Sequence, residues 1–189
     1  MEFQQIYKEY FPKISGYLTR LTGNKEEAED LTQEVFIKVH GALEGFEGRS
    51  SLSTWIYKIA TNTANDHFRS ASNQKASKQT TSCEILKENT EDKNVWTGEK
   101  EKISDTVLEN NEMNCCIKRY IEDLSENYRT VFVLSEYEGL SNKEIADILG
   151  ISVETVKIRI SRGRKQLKKK MEKGCEISLE EGSLKCNEK

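Results

Sequence analysis

LSNKEIADILGISVETVKIRISRGR, residues 140–164, reads as two helices meeting at a turn, the second of them basic. Ser141 followed by Glu144 fits a capping box, in which the serine oxygen accepts from the Glu144 amide and the carboxylate reaches back to the serine N–H. A helix therefore begins at Asn142. Ile145, Ile148 and Leu149 give it an apolar stripe, Ala146 leaves room for a close helix crossing, and Gly150 stands where a left-handed residue commonly ends a helix. Ser152 caps the next helix, in which Val156, Ile160 and Leu167 point inward. Lys157, Arg159, Arg162, Arg164 and Lys165 are left for the outside. From Ser152 to Lys173 nine Lys or Arg stand against two acids, a net of +7 in a chain whose total is -3. Charge concentrated this way suits phosphate contact, and such a helix can lie in a DNA major groove. The bland alternative is a solubilising basic face on an ordinary helix pair.

Composition narrows the remainder. At 189 residues and 35% hydrophobic content the chain has room for one large or two small domains with modest cores, and two small domains are expected. A single proline, Pro12, and few alternating β-branched runs favour an all-α chain. No run of some 18 apolar residues and no basic-then-apolar leader occurs, so a cytoplasmic protein without membrane insertion is expected. Its five cysteines are then expected to be mostly reduced thiols. Neither a phosphate-binding glycine loop, nor HExxH, nor a nucleophile with a base is present, so neither an enzyme nor a cofactor is expected. A protein acidic overall but basic in one helix suggests local DNA docking plus a second, non-DNA partner.

Apolar residues from Phe3 to Leu21 recur at three and four, the spacing of one helix face, and Gly23 closes that helix. Asn24 with Glu27 supplies a cap and its reciprocal carboxylate for a second helix running through Ala28, Leu31, Val35, Phe36 and Val39 to about Leu43. Asp30, Gln33, Glu34 and Lys38 lie off its apolar stripe. Residues 44–53, EGFEGRSSLS, read as a loop. A third helix follows, with Trp55, Ile56, Ile59, Ala60, Thr63, Ala64 and Phe68 inward and Lys58, Asn62, Asn65, Asp66 and Arg69 more exposed. Residues 71–111 are rich in Ser, Thr, Asn, Lys and Glu without apolar period and read as a flexible linker. Helices about Met113–Leu124 and Glu126–Glu138 should support the helix-turn-helix. The expected division is residues 1–70, a three-to-four-helix domain; 71–111, the linker; 112–173, a four-helix domain; and 174–189, a short polar, Cys-containing tail.

Three stretches together, AEDLTQEVFIKV (28–39), STWIYKIATNTANDHFR (53–69) and ENYRTVFVLSEYEGLSNKEIADILGISVETVKIRISRGR (126–164), resemble the sigma factors of bacterial RNA polymerase, specifically the small two-domain extracytoplasmic-function group of the sigma-70 family. The resemblance implies a factor that binds core polymerase, through the β′ clamp helices and the β subunit, and directs promoter-specific initiation. It places Asp30, Gln33, Glu34, Phe36 and Lys38 at or near the polymerase, with Phe36 equally suited to the core. The following loop and helix would capture a flipped −10 base, with Arg49, Ser50, Ser51, Lys58, Asn62, Asn65 and Arg69 in contact. Flexible loops, amides and cations suit that task. Trp55 and Tyr57 could serve as stacking platforms, although Trp55 sits on the apolar stripe. For the −35 element the matching positions are Thr155, Lys157, Ile158, Arg159, Ser161, Arg162 and Lys165. Ile158 departs from the small polar residue expected there and could meet a thymine methyl. Members of this group are commonly restrained by an anti-sigma protein, so one is expected here.

Cys115, Cys116, Cys175 and Cys186 flank the C-terminal domain, and a thiol switch or zinc site among them is an alternative to ordinary thiols. No CxxC pair supports it. The main competing function is a polymerase-independent helix-turn-helix regulator. A third class is an interaction module whose basic helix binds an acidic protein.

Overall fold

The structure, a computed structural model, describes residues 2–74, 118–180 and 183–188. Six α-helices dominate: α1 (Phe3–Thr22), α2 (Lys25–Ala42), α3 (Leu52–Gln74), α4 (Glu126–Glu136), α5 (Asn142–Leu149) and α6 (Val153–Gly174), with residues 118–122 also helical. A 3₁₀ turn, Leu43–Gly45, extends α2. Both halves are helical, as expected, up to Gly174. Residues 75–117, which hold most of the expected linker together with Cys83, Cys115, Cys116 and Ile117, lie outside the described residues.

Local chemistry sets the helix ends. Gly23 takes φ 72° and donates its N–H to the Thr19 carbonyl, a left-handed stop that a Cβ would penalise. Asn24 then accepts from the Glu26 and Glu27 amides and starts α2. The reciprocal carboxylate expected of Glu27 is absent: that side chain lies 3.5 Å from His67 Nε2 and links α2 to α3. Helix α3 begins at Leu52, inside the expected loop, because the Ser51 hydroxyl accepts from the Thr54 amide at 3.0 Å. It also runs to Gln74, one turn beyond the expected end of the domain. Conversely α4 stops at Glu136, two residues short of Glu138.

The N-terminal core is the meeting of α1, α2 and α3 along Ile6, Ile14, Tyr17, Leu18, Leu21, Ala28, Leu31, Val35, Val39, Ile56 and Ala60, all buried. Removing such a side chain from water contributes about 1.5–3 kcal/mol when burial is complete. Tyr17 keeps its hydroxyl satisfied inside this core through Thr61 at 2.8 Å. In the C-terminal half α4 and α6 cross closely, with α5 packed against both, around Val131, Leu134, Ile145, Ile148, Val156 and Ile160. Gly163 is buried where α6 passes Tyr128 and Phe132.

The tail corrects one expectation. Expected only as a short polar, Cys-containing segment of an all-α chain, it holds two strands: β1 (Cys175–Glu180) and β2 (Ser183–Glu188) pair antiparallel, directly after α6, with Cys175 opposite Glu188 and Cys186 opposite Ile177. The two cysteines are therefore not register partners.

Candidate nucleic-acid and polymerase interfaces

The helix-turn-helix is built as its caps dictate. Ser141 accepts from the Glu144 amide at 3.3 Å, and the Glu144 carboxylate accepts from the Ser141 N–H at 2.9 Å. The Ser141 hydroxyl also donates to that carboxylate at 2.7 Å, and this bond, with the one from the Ser141 N–H, holds the Glu144 carboxyl below its ordinary pKa. Gly150 closes α5 at φ 63°, and Ser152 accepts from the Thr155 amide at 3.1 Å to open α6.

Along α6 the buried stripe is Val156, Ile160 and Gly163, which leaves Lys157, Ile158, Ser161, Arg162 and Lys165 exposed and Thr155 and Arg159 half-buried. The predicted −35 set thus shares the accessible side of one helix. Ile158, at 50% exposed, is a large apolar group on this basic side of the helix. A cleft of about 470 Å³ beside it is lined by Ser135, Asn142, Lys157, Ile160, Ser161 and Arg164. Arg164 is less available than its neighbours, being bonded to Glu136 of α4 at 2.6 Å.

A second cleft, of about 270 Å³, opens at the start of α3 between Gly45, Phe46, Glu47, Arg49, Ser50 and Trp55. The Phe46 and Trp55 rings stand 4.9 Å apart, tilted by 40°, and Gly48 turns the intervening loop at φ 69°. Arg49 pairs with Glu47 at 2.5 Å in an exposed contact. Arg49 and Ser50 therefore come together, joined by aromatic surface that the loop reading missed. The available signal was Phe46 itself, an aromatic residue in a glycine and serine loop with no helical stripe to join. Trp55 is half-buried, packing on the core while lining the cleft. Ser51 is engaged in capping α3. Lys58, Asn62, Asn65 and Arg69 follow at intervals of four, three and four, so they continue one side of α3; Asn65 is half-buried and the other three exposed. Tyr57 is excluded as a stacking platform: it is buried, and its hydroxyl donates to Glu138 at 2.5 Å.

On α2, Asp30, Gln33, Glu34 and Lys38 share an exposed face. Lys38 is anchored by Glu34 at 2.7 Å and by the Thr63 hydroxyl at 3.1 Å. Phe36 does not belong to this face. It is 2% exposed, with its ring 4.9 Å from Tyr7 and 5.8 Å from Phe11, because its place on the stripe shared with Thr32 and Val39 turns it inward. The apolar residue the face does present is Ile37, 72% exposed. It was passed over because sequence periodicity merely leaves it off the stripe.

No group of His, Cys, Asp and Glu suited to hold a metal ion occurs among the described residues, and no helix there is long and apolar enough to cross a membrane.

Comparison with known proteins places these faces in a family. The family model for Sigma-70 region 2 matches residues 6–74, and that for Sigma-70 region 4 matches residues 116–167. The chain is 36% identical to the ECF RNA polymerase sigma factor SigW of Bacillus subtilis, over 89% of this chain and 88% of the relative. It is 32% identical to the RNA polymerase sigma-H factor of Pseudomonas aeruginosa, over 90% and 86%. In fold it resembles the sigma factor RpoE of Bartonella quintana, solved with the anti-sigma factor NepR, with a TM-score of 0.68 at 22% identity over 88% of this chain and 94% of that one. It also resembles CnrH, solved with the cytosolic domain of CnrY, with a TM-score of 0.62 at 19% identity over 90% and 87%. With both regions matched in order, and relatives spanning most of its length, the chain belongs to the sigma-70 family of RNA polymerase sigma factors, in its extracytoplasmic-function group.

Proposed function

We propose that this sigma factor divides promoter-specific initiation among three faces: α2 docks on core polymerase, the Phe46–Trp55 cleft with α3 holds the −10 element, and α6 reads the −35 element. The observation that supports this reading is that one chain carries two chemically different accessible faces, an aromatic cleft and a basic helix. The α3 cleft is small and aromatic, suited to a single unstacked base, whereas α6 is a basic helix suited to duplex DNA. Neither face needs covalent chemistry. Catalysis of RNA synthesis belongs to the polymerase, and the factor works by differential binding.

Within these faces Asp30, Gln33, Glu34 and Lys38 surround Ile37 at the polymerase, through the β′ clamp helices, with the β subunit as a further contact. Arg49, Ser50, Lys58, Asn62, Asn65 and Arg69 hold −10 DNA, with Ser51 supporting the loop. Thr155, Lys157, Ile158, Arg159, Ser161, Arg162 and Lys165 meet −35 DNA. Residues 1–70, with the extra helical turn to Gln74, act as the −10 domain and residues 112–173 as the −35 domain. The factor works in the cytoplasm and is restrained by an anti-sigma protein, as two similar structures each contain such a partner or a cytosolic binding domain. A polymerase-independent regulator leaves the Ile37 face of α2 without a purpose.

Transcription with purified core polymerase tests this. Addition of the chain should yield promoter-specific transcripts. Asp30→Arg should lose polymerase binding, whereas Arg162→Ala should keep it and lose about 1–3 kcal/mol of −35 discrimination. Initiation no better than by core alone, across candidate promoters, overturns the reading.

A further inference from the structure

Ile158 stands at the middle of the face that α6 turns away from its core. It is two residues from Val156 and two from Ile160, the buried side chains that hold α6 down, and so lies about half a turn from both. Its side chain is 50% exposed. Glu154 precedes it by four residues, and Ser161, Arg162 and Lys165 follow by three, four and seven, so all share its side of the helix, and all are exposed. A single exposed isoleucine is ordinary on a protein surface, but this one takes the position nearest any duplex whose groove α6 enters.

The chemistry open to that position is narrow. Isoleucine neither donates nor accepts a hydrogen bond, and its β-branch leaves one preferred rotamer in a helix, so its methyl groups keep a fixed place on α6. Pressed against a base edge that offers donors or acceptors, it strips their water and returns no bond. The major groove presents one apolar group, the C5-methyl of thymine, where cytosine carries only hydrogen. Thr155, the other methyl-bearing side chain near this line, is half-buried with its hydroxyl 2.9 Å from that of Ser152. Lys157, Arg162 and Lys165 around Ile158, in a segment of net charge +7, favour a polyanion as the occupant over an apolar protein surface.

We propose that Ile158 is a specificity-determining residue of this factor, selecting a C5-methyl group on the pyrimidine beneath it, which in unmodified DNA is a thymine. The inference rests on the −35 reading of α6. Four residues of helix rise about 6 Å, close to two base pairs at ~3.4 Å each, so the methyl lies about two base pairs from the base that Arg162 contacts. Because Ile158 takes no hydrogen bond from the ring, 5-methylcytosine satisfies it as thymine does. Methylation of a cytosine at this position therefore strengthens the contact.

Promoter fragments recovered by core polymerase carrying this factor, from a pool randomised across the −35 region, supply the probe. In the recovered sequence each pyrimidine is replaced in turn by thymine, deoxyuridine, cytosine and 5-methylcytosine, and competition for the holoenzyme is measured. At one position, about two base pairs from the base whose discrimination Arg162→Ala loses, thymine should outcompete deoxyuridine by ~4-fold, the effect of one buried methyl group. There 5-methylcytosine should outcompete cytosine by a similar factor. Ile158→Val should keep both ratios. Ile158→Ser should bring both close to one with its helical content unchanged, a shift that a purely structural role does not produce. Ratios near one for the wild type at every position assign Ile158 to a protein contact, and ratios that survive in Ile158→Ser assign the methyl to another side chain; either overturns the proposal. Indifference to replacement of the whole −35 region removes the −35 reading as well, whereas sensitivity to the region without sensitivity to the methyl removes only the role of Ile158.

Discussion

Glu136 holds the guanidinium of Arg164 at 2.6 Å, fastening the middle of α6 to the last turn of α4. The pair is mostly exposed and contributes at most about 1 kcal/mol to stability. Its larger effect is on the DNA face, where it neutralises a cation beside Ser161 and Lys165. Glu136→Gln should therefore tighten binding to −35 duplex and steepen the dependence on salt by about one phosphate contact. Titrations between low and moderate salt measure the slope; a slope equal to wild type assigns Arg164 a purely structural place.

Ile37 is an apolar side chain surrounded by Asp30, Gln33, Glu34 and Lys38 and covered by nothing. Truncating it should leave folding intact and weaken docking. Ile37→Ala is expected to change the melting temperature little while costing at least ~1 kcal/mol of affinity for core polymerase, as for a residue near the centre of an interface. Unchanged affinity by fluorescence anisotropy would move the docking surface elsewhere.

Gly163 is buried in α6, yet an added Cβ would meet Tyr128 Cβ at 3.7 Å and Phe132 Cδ2 at 4.0 Å, ordinary van der Waals contacts. The backbone there is helical, so glycine brings only entropy. Gly163→Ala should stabilise the C-terminal half by about 0.5–1 kcal/mol, seen as a higher midpoint in urea. A lower midpoint would mean that the α4 and α6 crossing is tighter than these distances allow.

The capping box predicts a pH dependence. Because hydrogen bonds from Ser141 hold the folded-state pKa of Glu144 below its ordinary 4.5, the stability it contributes is fully present above pH 4.5 and is lost as pH falls through the lowered value. Wild type should exceed Ser141→Ala in melting temperature near neutrality, by a difference worth about 0.5–2 kcal/mol. Part of that gap should close in acid, and a gap constant down to pH 2 would show that the hydroxyl, and not the carboxylate, does the capping.

What could be read in the sequence was whatever a few neighbouring residues decide. Gly23, Ser141 with Glu144, Gly150 and Ser152 mark helix ends through bonds made within one turn, and each lies where the pattern put it. On α2 the periodicity put Phe36 on the inward stripe and Ile37 off it, and the rings of Tyr7 and Phe11 close over Phe36, whereas the resemblance had also set Phe36 near the polymerase. The hairpin had a signal in the alternation of Cys175, Ile177 and Leu179 and of Leu184 and Cys186 around Glu181 and Gly182, a period of two easily hidden by acidic neighbours. The Phe46–Trp55 cleft and the bond from Tyr57 to Glu138 join residues 9 and 81 positions apart, and no local pattern encodes such a meeting.

The extra turn of α3, residues 71–74, has a metric consequence. In a helix four residues advance about 6 Å, whereas extended they would advance ~13 Å, so rigidity here removes ~7 Å of reach. That is about two base pairs of duplex. Spacer tolerance, the range of separations between promoter elements that a factor accepts, should thus widen toward longer spacers if glycines at Ser70 and Ala71 unwind this turn.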